Sequence, residues 1–464
     1  MFRGRKKELA TLEEIYSREG FAGVIVSGRR RVGKTTLLSE FCKGKNNIFY
    51  VAQESVRETI ILEFGKKVTD FFFANDYIVV NSWDKIFELI STYNQPEKLV
   101  VVVDEYPYMV NADRSVQSIL QRAIDHQLKN ANIMLVLCGS SVSFMENEII
   151  AYKNPLYGRF DWHLRVKPFD YFQSAEFTPK YSHEEKFTTY GILGGVPRYL
   201  ESFDDTKSIK DNLCATILKN GDYLYEEPFN LLKQELREPA LYNSIIEAVA
   251  KGASKLNEIS TKINAESGKS AKYLKTLIDL LILKKEVPIN EKENARRTIY
   301  RVNDNLFKFW FRFIFGNNEL VETDNGELLY ERVILPNLNG YLGLVFEDAC
   351  HDYMWRLQRG SEFPIIFNKI GRWWGTDNKK KIQVEIDLLA IDTFNNNAIF
   401  CECKWQNELV KLSVLEALIE KSAMFNFNER YFALFAKCGF TKALRDYAET
   451  NKNVRLFTLD DLYK

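Results

Sequence analysis

The sequence predicts an α/β, multidomain protein. It would comprise a P-loop parallel-sheet core, a helical lid, a winged helix and a C-terminal α/β domain. Three observations predict it. Apolar strand-like runs alternate with amphipathic stretches from Phe2 to about Cys138, the pattern of a doubly wound parallel sheet. Three helical stretches and a hairpin pattern follow between Leu241 and Val302. Beyond Asn305, long strand patterns are separated by an Asn-rich turn. The expected boundaries are 1–160 for the core, 161–238 for the lid, 239–304 for the winged helix and 305–464 for the last domain.

The first element is the strand Gly23–Ser27, which leads into Gly28-Arg29-Arg30-Arg31-Val32-Gly33-Lys34-Thr35, a G-x-x-x-x-G-K-T loop. The glycines let the backbone curl so that successive N–H groups face a phosphate chain. Lys34 adds a positive charge beside the β- and γ-phosphates, and the Thr35 hydroxyl is placed for Mg²⁺. Thr36 opens the helix that runs to Phe41. Three consecutive arginines stand where many such loops carry small residues. They either reach phosphate or acidic partners, or point to solvent.

Leu99–Val103 is a continuous apolar run, the mark of a strand buried on both faces of a parallel sheet, and it ends in Asp104-Glu105. Acids at the C-terminal edge of such a strand sit where open α/β sheets bind ligands. Asp104 suits the Mg²⁺ shell, and Glu105 suits orienting or deprotonating the attacking water. With the phosphate loop, this makes ATP hydrolysis the leading reading. Ile133–Cys138 ends in Gly139-Ser140-Ser141, where Ser140 either senses the γ-phosphate or caps a helix. Asn154–Arg159 is a turn that delivers an arginine. Arg159 suits transition-state charge, in cis or from a neighbouring subunit, or else a surface ion pair. Gly194-Gly195-Val196-Pro197-Arg198 marks either a lid over the nucleotide or a helix–helix connection.

In the next segment, Leu241–Ala250 and Lys255–Ile263 read as helices. Ser270–Leu281 reads as a third, capped by Ser270. Lys284–Ile289 and Thr298–Arg301 then form a wing around a polar tip at Glu291–Asn294. Three helices and a wing make a winged helix. Lys269, Lys272 and Lys275, with Arg296-Arg297, either meet DNA phosphates or form a solvated face.

The C-terminal block places Asp387 on the strand Lys381–Ile391, and Glu402 and Lys404 on the strand Ala398–Trp405. Alternation puts Glu402 and Lys404 on one face. If the strands pair, Asp387 lies across from them. Two such close carboxylates call for a divalent cation, and Glu347, on an expected helix, can complete the set of metal ligands. The competing reading is a plain Glu402–Lys404 ion pair. Trp373-Trp374 either stack bases or cover the sheet.

Composition is that of a soluble globular protein. Hydrophobic residues make up 46% of 464, and 63 basic residues balance 63 acidic ones, so there is no global electrostatic footprint for nucleic acid. Seven cysteines without a paired framework fit a reducing cytosol, and Cys401-x-Cys403 lacks the second pair a zinc site needs. With no apolar signal segment or membrane-length run, a cytoplasmic location without membrane partners is expected.

The D-(x)14-E-x-K arrangement of Asp387, Glu402 and Lys404 resembles the PD-(D/E)xK, restriction-endonuclease-like fold. That resemblance implies a metal-dependent nuclease site. The order of Phe2-Arg3-Gly4-Arg5 with Glu8-Leu9, the phosphate loop, Asp104-Glu105, Pro155–Arg159 and Gly194–Pro197 resembles the archaeal-type ATPase family. This family is a branch of the AAA+/STAND P-loop ATPases. The resemblance implies ATP bound by Gly28–Thr36, magnesium and water roles for Asp104 and Glu105, and an arginine role for Arg159. It also implies a winged helix and a nuclease-like domain of unknown function behind them. Three functions follow as expectations: ATP-coupled DNA cleavage, a nucleotide-operated switch with a C-terminal platform for a protein partner or self-association, and an autonomous DNA-binding regulator.

Overall fold

Strand β1 (Ala22–Ser27) is buried at every position, as are β3 (Leu99–Asp104) and β4 (Ile133–Gly139). The β-branched content of these runs suits a strand covered on both faces. With β2 (Asn47–Val51) and β5 (Trp162–Arg165) they form a five-stranded sheet, ordered β2-β3-β4-β1-β5 and parallel throughout. The two flanking strands alternate in burial, as edge strands do. Period-two alternation splits the core. Ile25, Val101, Val103, Leu135 and Leu137 pack on one face, and Val24, Val26, Val100, Val102 and Val136 on the other.

The computed structural model describes residues 2–73, 78–140, 144–145, 149, 152–236, 238–291, 297–359, 365–377 and 380–464. Ser141 and the hairpin tip 292–296, with Arg296, lie outside the described residues. Contacts divide the chain into two units. The first is Met1–Pro168 with Val196–Arg198, and the second is Phe169–Gly195 with Tyr199–Lys464. Gly195 belongs where only glycine fits: a Cβ there would meet the Phe169 carbonyl oxygen at 1.7 Å.

In the second unit, helices Pro239–Ala250, Leu256–Lys262 and Ser267–Asp279 precede β6 (Leu283–Glu286) and β7 (Ile299–Val302). The two strands pair antiparallel, from Leu283↔Val302 to Glu286↔Ile299. Ser270 does not cap the third helix. That helix starts at Ser267, and the buried Ser270 hydroxyl donates back to the Glu266 carbonyl, as serine does inside a helical turn. The long helix Leu335–Arg359 leads to β8 (Lys369–Asp377), β9 (Ile382–Asp392), β10 (Asn397–Lys404), β11 (Arg430–Ala436) and β12 (Val454–Thr458). Their order is β12-β11-β10-β9-β8; β9 runs antiparallel to both β8 and β10, whereas β11 and β12 extend β10 in parallel. Among the described residues, no helix is long and apolar enough to cross a membrane.

Candidate functional site

The phosphate loop grows out of β1. Gly28 presses on the β5 side of the sheet, where a Cβ would lie 2.3 Å from the Val166 carbonyl oxygen. The loop turns through left-handed backbone at Arg31 (φ 68°) and Gly33 (φ 88°), and the helix Lys34–Phe41 follows at once. Lys34 is 5% exposed. Its ammonium donates to the carbonyls of Gly28 at 2.8 Å and Arg29 at 3.2 Å, so the charge lies inside the curl of the loop. Thr36 follows on that helix, with its side chain exposed. The arginine run does not stand out in solvent. Arg29 is buried, Arg30 and Arg31 are half-buried, and Arg30 Nη2 donates to the Tyr108 hydroxyl at 3.3 Å.

Beside the loop, β3 delivers the acids. The Thr35 hydroxyl donates to Asp104 Oδ2 at 2.5 Å, which directs its proton to the carboxylate and leaves its oxygen lone pairs for a cation. Asp104 is fully buried, and its Oδ1 accepts the Glu105 N–H at 2.9 Å. The backbone then turns sharply at Glu105 (φ 52°). Its Oε2 accepts the Ser140 hydroxyl at 2.9 Å and the Ser140 N–H at 3.3 Å, from the end of the adjacent strand β4. Lys34, Thr35, Asp104, Glu105 and Ser140 are therefore joined at one sheet edge. A cationic lysine within a curled backbone, with a hydroxyl–carboxylate pair beside it, fits a nucleotide triphosphate with its divalent cation.

Two residues outside these expected sites also reach the loop. Arg5 is 3% exposed; its Nη2 donates to the Val32 carbonyl at 2.8 Å and its Nη1 pairs with Glu8 at 2.8 Å. Pro197 Cγ lies 3.7 Å from where a Gly33 Cβ would stand. The sequence signal for both was the motif that contains each, but not its target.

Arg159 is not brought to the phosphate loop of its own chain. Its carbonyl lies against Gly23 at the start of β1, where a Cβ would meet it at 2.7 Å. Gly28 is five residues further along, about 16 Å at about 3.3 Å per residue. The guanidinium forms a two-pronged pair with Asp125, at 3.0 and 2.8 Å, and also donates to the carbonyls of Pro155 and Tyr157.

In the second unit, Asp387 Oδ2 accepts the Cys403 N–H at 2.8 Å, so β9 and β10 do set Asp387 beside Glu402. Burial first, and the Glu402 charge second, raise the Asp387 carboxyl above the usual range. Glu402 is held by two lysines, Lys404 Nζ at 2.6 Å and Lys421 Nζ at 3.2 Å. Glu347 faces arginines: Arg372 Nη2 at 3.4 Å and Arg301 Nη1 at 3.9 Å. Burial raises its carboxyl to about 7. Among the described residues, no three His, Cys, Asp or Glu side chains form a group that could hold a metal ion. Glu347, Asp387 and Glu402 are thus not gathered into the expected set of metal ligands. Trp373 packs edge-on to Phe425 at 4.8 Å, covering the sheet.

Residues 2–203 match an ATPase domain predominantly from Archaea, and residues 310–418 match archaeal and bacterial proteins of unknown function. An uncharacterized protein of Methanocaldococcus jannaschii is 30% identical over 466 residues, covering 99% of this chain and 100% of its own. The chain belongs to this archaeal ATPase family. Among solved structures, the Walker-type ATPase of Pyrococcus abyssi has a TM-score of 0.52 at 21% identity, covering 67% of this chain and 96% of its own. The ORC2 protein of Aeropyrum pernix, in ADPNP–ADP complexes, has a TM-score of 0.46 at 15% identity, covering 70% and 94%. The first likeness speaks only to the fold of this chain. Neither family match carries the nuclease-like resemblance of the C-terminal domain.

Proposed function

We propose that the protein is a Mg²⁺-dependent ATP hydrolase whose nucleotide state controls its C-terminal module, and that this module binds rather than cuts. The observation that carries the first part is the single constellation of Lys34, Thr35, Asp104, Glu105 and Ser140 at one sheet edge. When bound, Mg²⁺ would neutralise charge developing on the phosphate oxygens, with Thr35 and Asp104 as its holders. Lys34 offers its ammonium to the phosphates in exchange for two backbone carbonyls. Glu105 orients or deprotonates a water, and Ser140 holds that carboxylate until the γ-phosphate competes for the serine hydroxyl. Steady-state phosphate release with Mg²⁺ tests this: Lys34→Ala should abolish both binding and release. A Lys34→Ala protein that binds ATP normally refutes the assignment.

Control of the second unit is supported by chain continuity. Val196–Arg198 belongs to the ATPase unit, while the residues on either side belong to the other. A loop that shifts with nucleotide moves Pro197, and with it both covalently attached flanks. The two lysines on Glu402 and the two arginines on Glu347 favour a binding role for the C-terminal domain, because they already supply the compensating charge that a metal would bring. The three helices with β6 and β7 would act as a winged helix, with exposed Lys269, Lys272 and Lys275 toward DNA.

A second reading, metal-dependent DNA cleavage, is favoured by one observation: adjacent antiparallel strands place Asp387 beside Glu402 and Lys404. It expects DNA nicking with Mg²⁺ or Mn²⁺ that disappears in Asp387→Ala and Lys404→Ala while ATP hydrolysis persists. Intact DNA after prolonged incubation with wild-type protein rejects it in favour of the switch.

A further inference from the structure

We propose that the second unit carries a binding site for a small organic anion, a charged head on an apolar or aromatic body. The site is the cavity between the turn after helix Pro239–Ala250, strand β7 and the first turns of helix Leu335–Arg359. Its volume is about 500 Å³, within the usual range for small-molecule sites and too small for a folded partner or a nucleic-acid strand.

The walls divide by chemistry. Val249, Ala253, Pro336 and Leu344 supply apolar surface, whereas the charged side chains lining the cavity are Arg301, Lys308, Arg312 and Arg372, with no carboxylate among them. The acids Glu286, Glu347 and Asp348 line a different cavity, of about 430 Å³, which Arg372 also borders. Each acid pairs with one of the cations: Arg301 with Glu286 at 3.5 Å, Arg372 with Glu347 at 3.4 Å and Lys308 with Asp348 at 3.9 Å. Arg372 also pairs with Glu385. Even so, Arg301 Nη1 and Arg372 Nε are buried with no hydrogen-bond acceptor among the described residues. Arg312 donates weakly to the Ala250 carbonyl at 3.4 Å, and no carboxylate lines the cavity beside it. Burial pushes the Lys308 ammonium down to about 8, against the pull of Asp348. Four cations and no carboxylate in the lining, with two buried N–H groups left without an acceptor, fit an anion. The apolar residues in the same lining favour an anion with a body, because a bare inorganic ion would leave that surface wet.

Gly340 borders the cavity, and a Cβ there would meet nothing within 4 Å, so a large side chain is accommodated on this helical backbone.

The test is a fluorescence titration of the full-length protein with anilinonaphthalene sulfonate, with ATP in excess at the phosphate loop and inorganic sulfate as the head-only competitor. One saturable site is expected, weakened about tenfold or more by Gly340→Phe, which adds bulk at its border, and by Arg312→Glu, which reverses one charge at its exposed rim. Both variants should keep the wild-type circular dichroism spectrum. Affinity unchanged in both variants, binding that does not saturate, or displacement by sulfate at concentrations matching the probe would each overturn the proposal.

Discussion

Replacing Arg5 by methionine removes two contacts together: the hydrogen bond to the Val32 carbonyl inside the phosphate loop and the pair with Glu8. Methionine keeps most of the buried stem, so the loss is that of the charge. A hydrogen bond from a charged donor is worth about 1.5–3 kcal/mol. Breaking a buried pair costs about 3–5 kcal/mol, and the 17% exposure of the Glu8 side chain places this one toward the lower end. The two costs have different readouts. Stranding Glu8 lowers overall stability. Freeing the Val32 carbonyl lets it turn toward the phosphates and repel them, and about 1.4 kcal/mol of that penalty in the bound state weakens nucleotide binding about tenfold. Glu8→Gln separates the two, because it leaves Arg5 on Val32. The assay is titration with a fluorescent ATP analogue, with thermal melting on the same samples. Arg5→Met is expected to raise Kd and lower Tm, and Glu8→Gln to lower Tm alone. Arg5→Met that melts early yet binds nucleotide with wild-type Kd would refute a positioning role.

Glu105→Gln should slow phosphate release about 100-fold or more, the usual scale for a lost general base, with nucleotide Kd almost unmoved. Arg159→Ala should cost about 0.5–1 kcal/mol of stability, in line with its partly exposed pair with Asp125, and leave the hydrolysis rate per molecule unchanged; a loss that grows with protein concentration would instead assign the arginine to a neighbouring subunit. Glu347→Gln tests the buried carboxyl. Its rise from 4.5 to about 7 means that the folded state keeps a proton the unfolded chain has released. The Glu347 contribution is therefore full below about pH 4.5 and declines as pH climbs to about 7, by about 3 kcal/mol at about 1.4 kcal/mol per unit. Urea unfolding at about pH 5 and about pH 8 should show a smaller decline in the variant, and equal declines would exclude burial of this group as the cause.

The strand–loop–helix around Gly28–Thr35 was legible because every part of it is local: β-branched run, glycines, lysine and helix follow one another. Asp104-Glu105 was legible for the same reason. The partner of Ser140 was not legible, because it depends on which strand lies beside β3; the β3–β4 pairing brings the Ser140 hydroxyl to Glu105. Arg159 was placed with the nucleotide by its motif, yet its partner Asp125 sits 34 residues upstream and carries no pattern of its own. Glu347 shows the same limit twice over. Its helix was foreseen, but its neighbours Arg301 and Arg372 flank it at a distance in the chain, and an isolated carboxylate in a sequence looks the same whether it will meet a metal or a guanidinium. Arg5 lay within a recognised motif, but a backbone carbonyl has no signature in the sequence, so its target could only be found in three dimensions.

The threading of Val196–Arg198 through the first unit bears on modularity. The segment that matches the archaeal ATPase domain ends at residue 203, yet residues 169–195 and 199–203 within it make their contacts with the rest of the second unit. A fragment cut at 168 would lose Pro197 from Gly33, and one cut at 203 would carry a hairpin of orphaned hydrophobic surface that includes Phe187, Ile192 and Tyr199. No single cut in the chain therefore separates the ATPase unit from the unit that follows it.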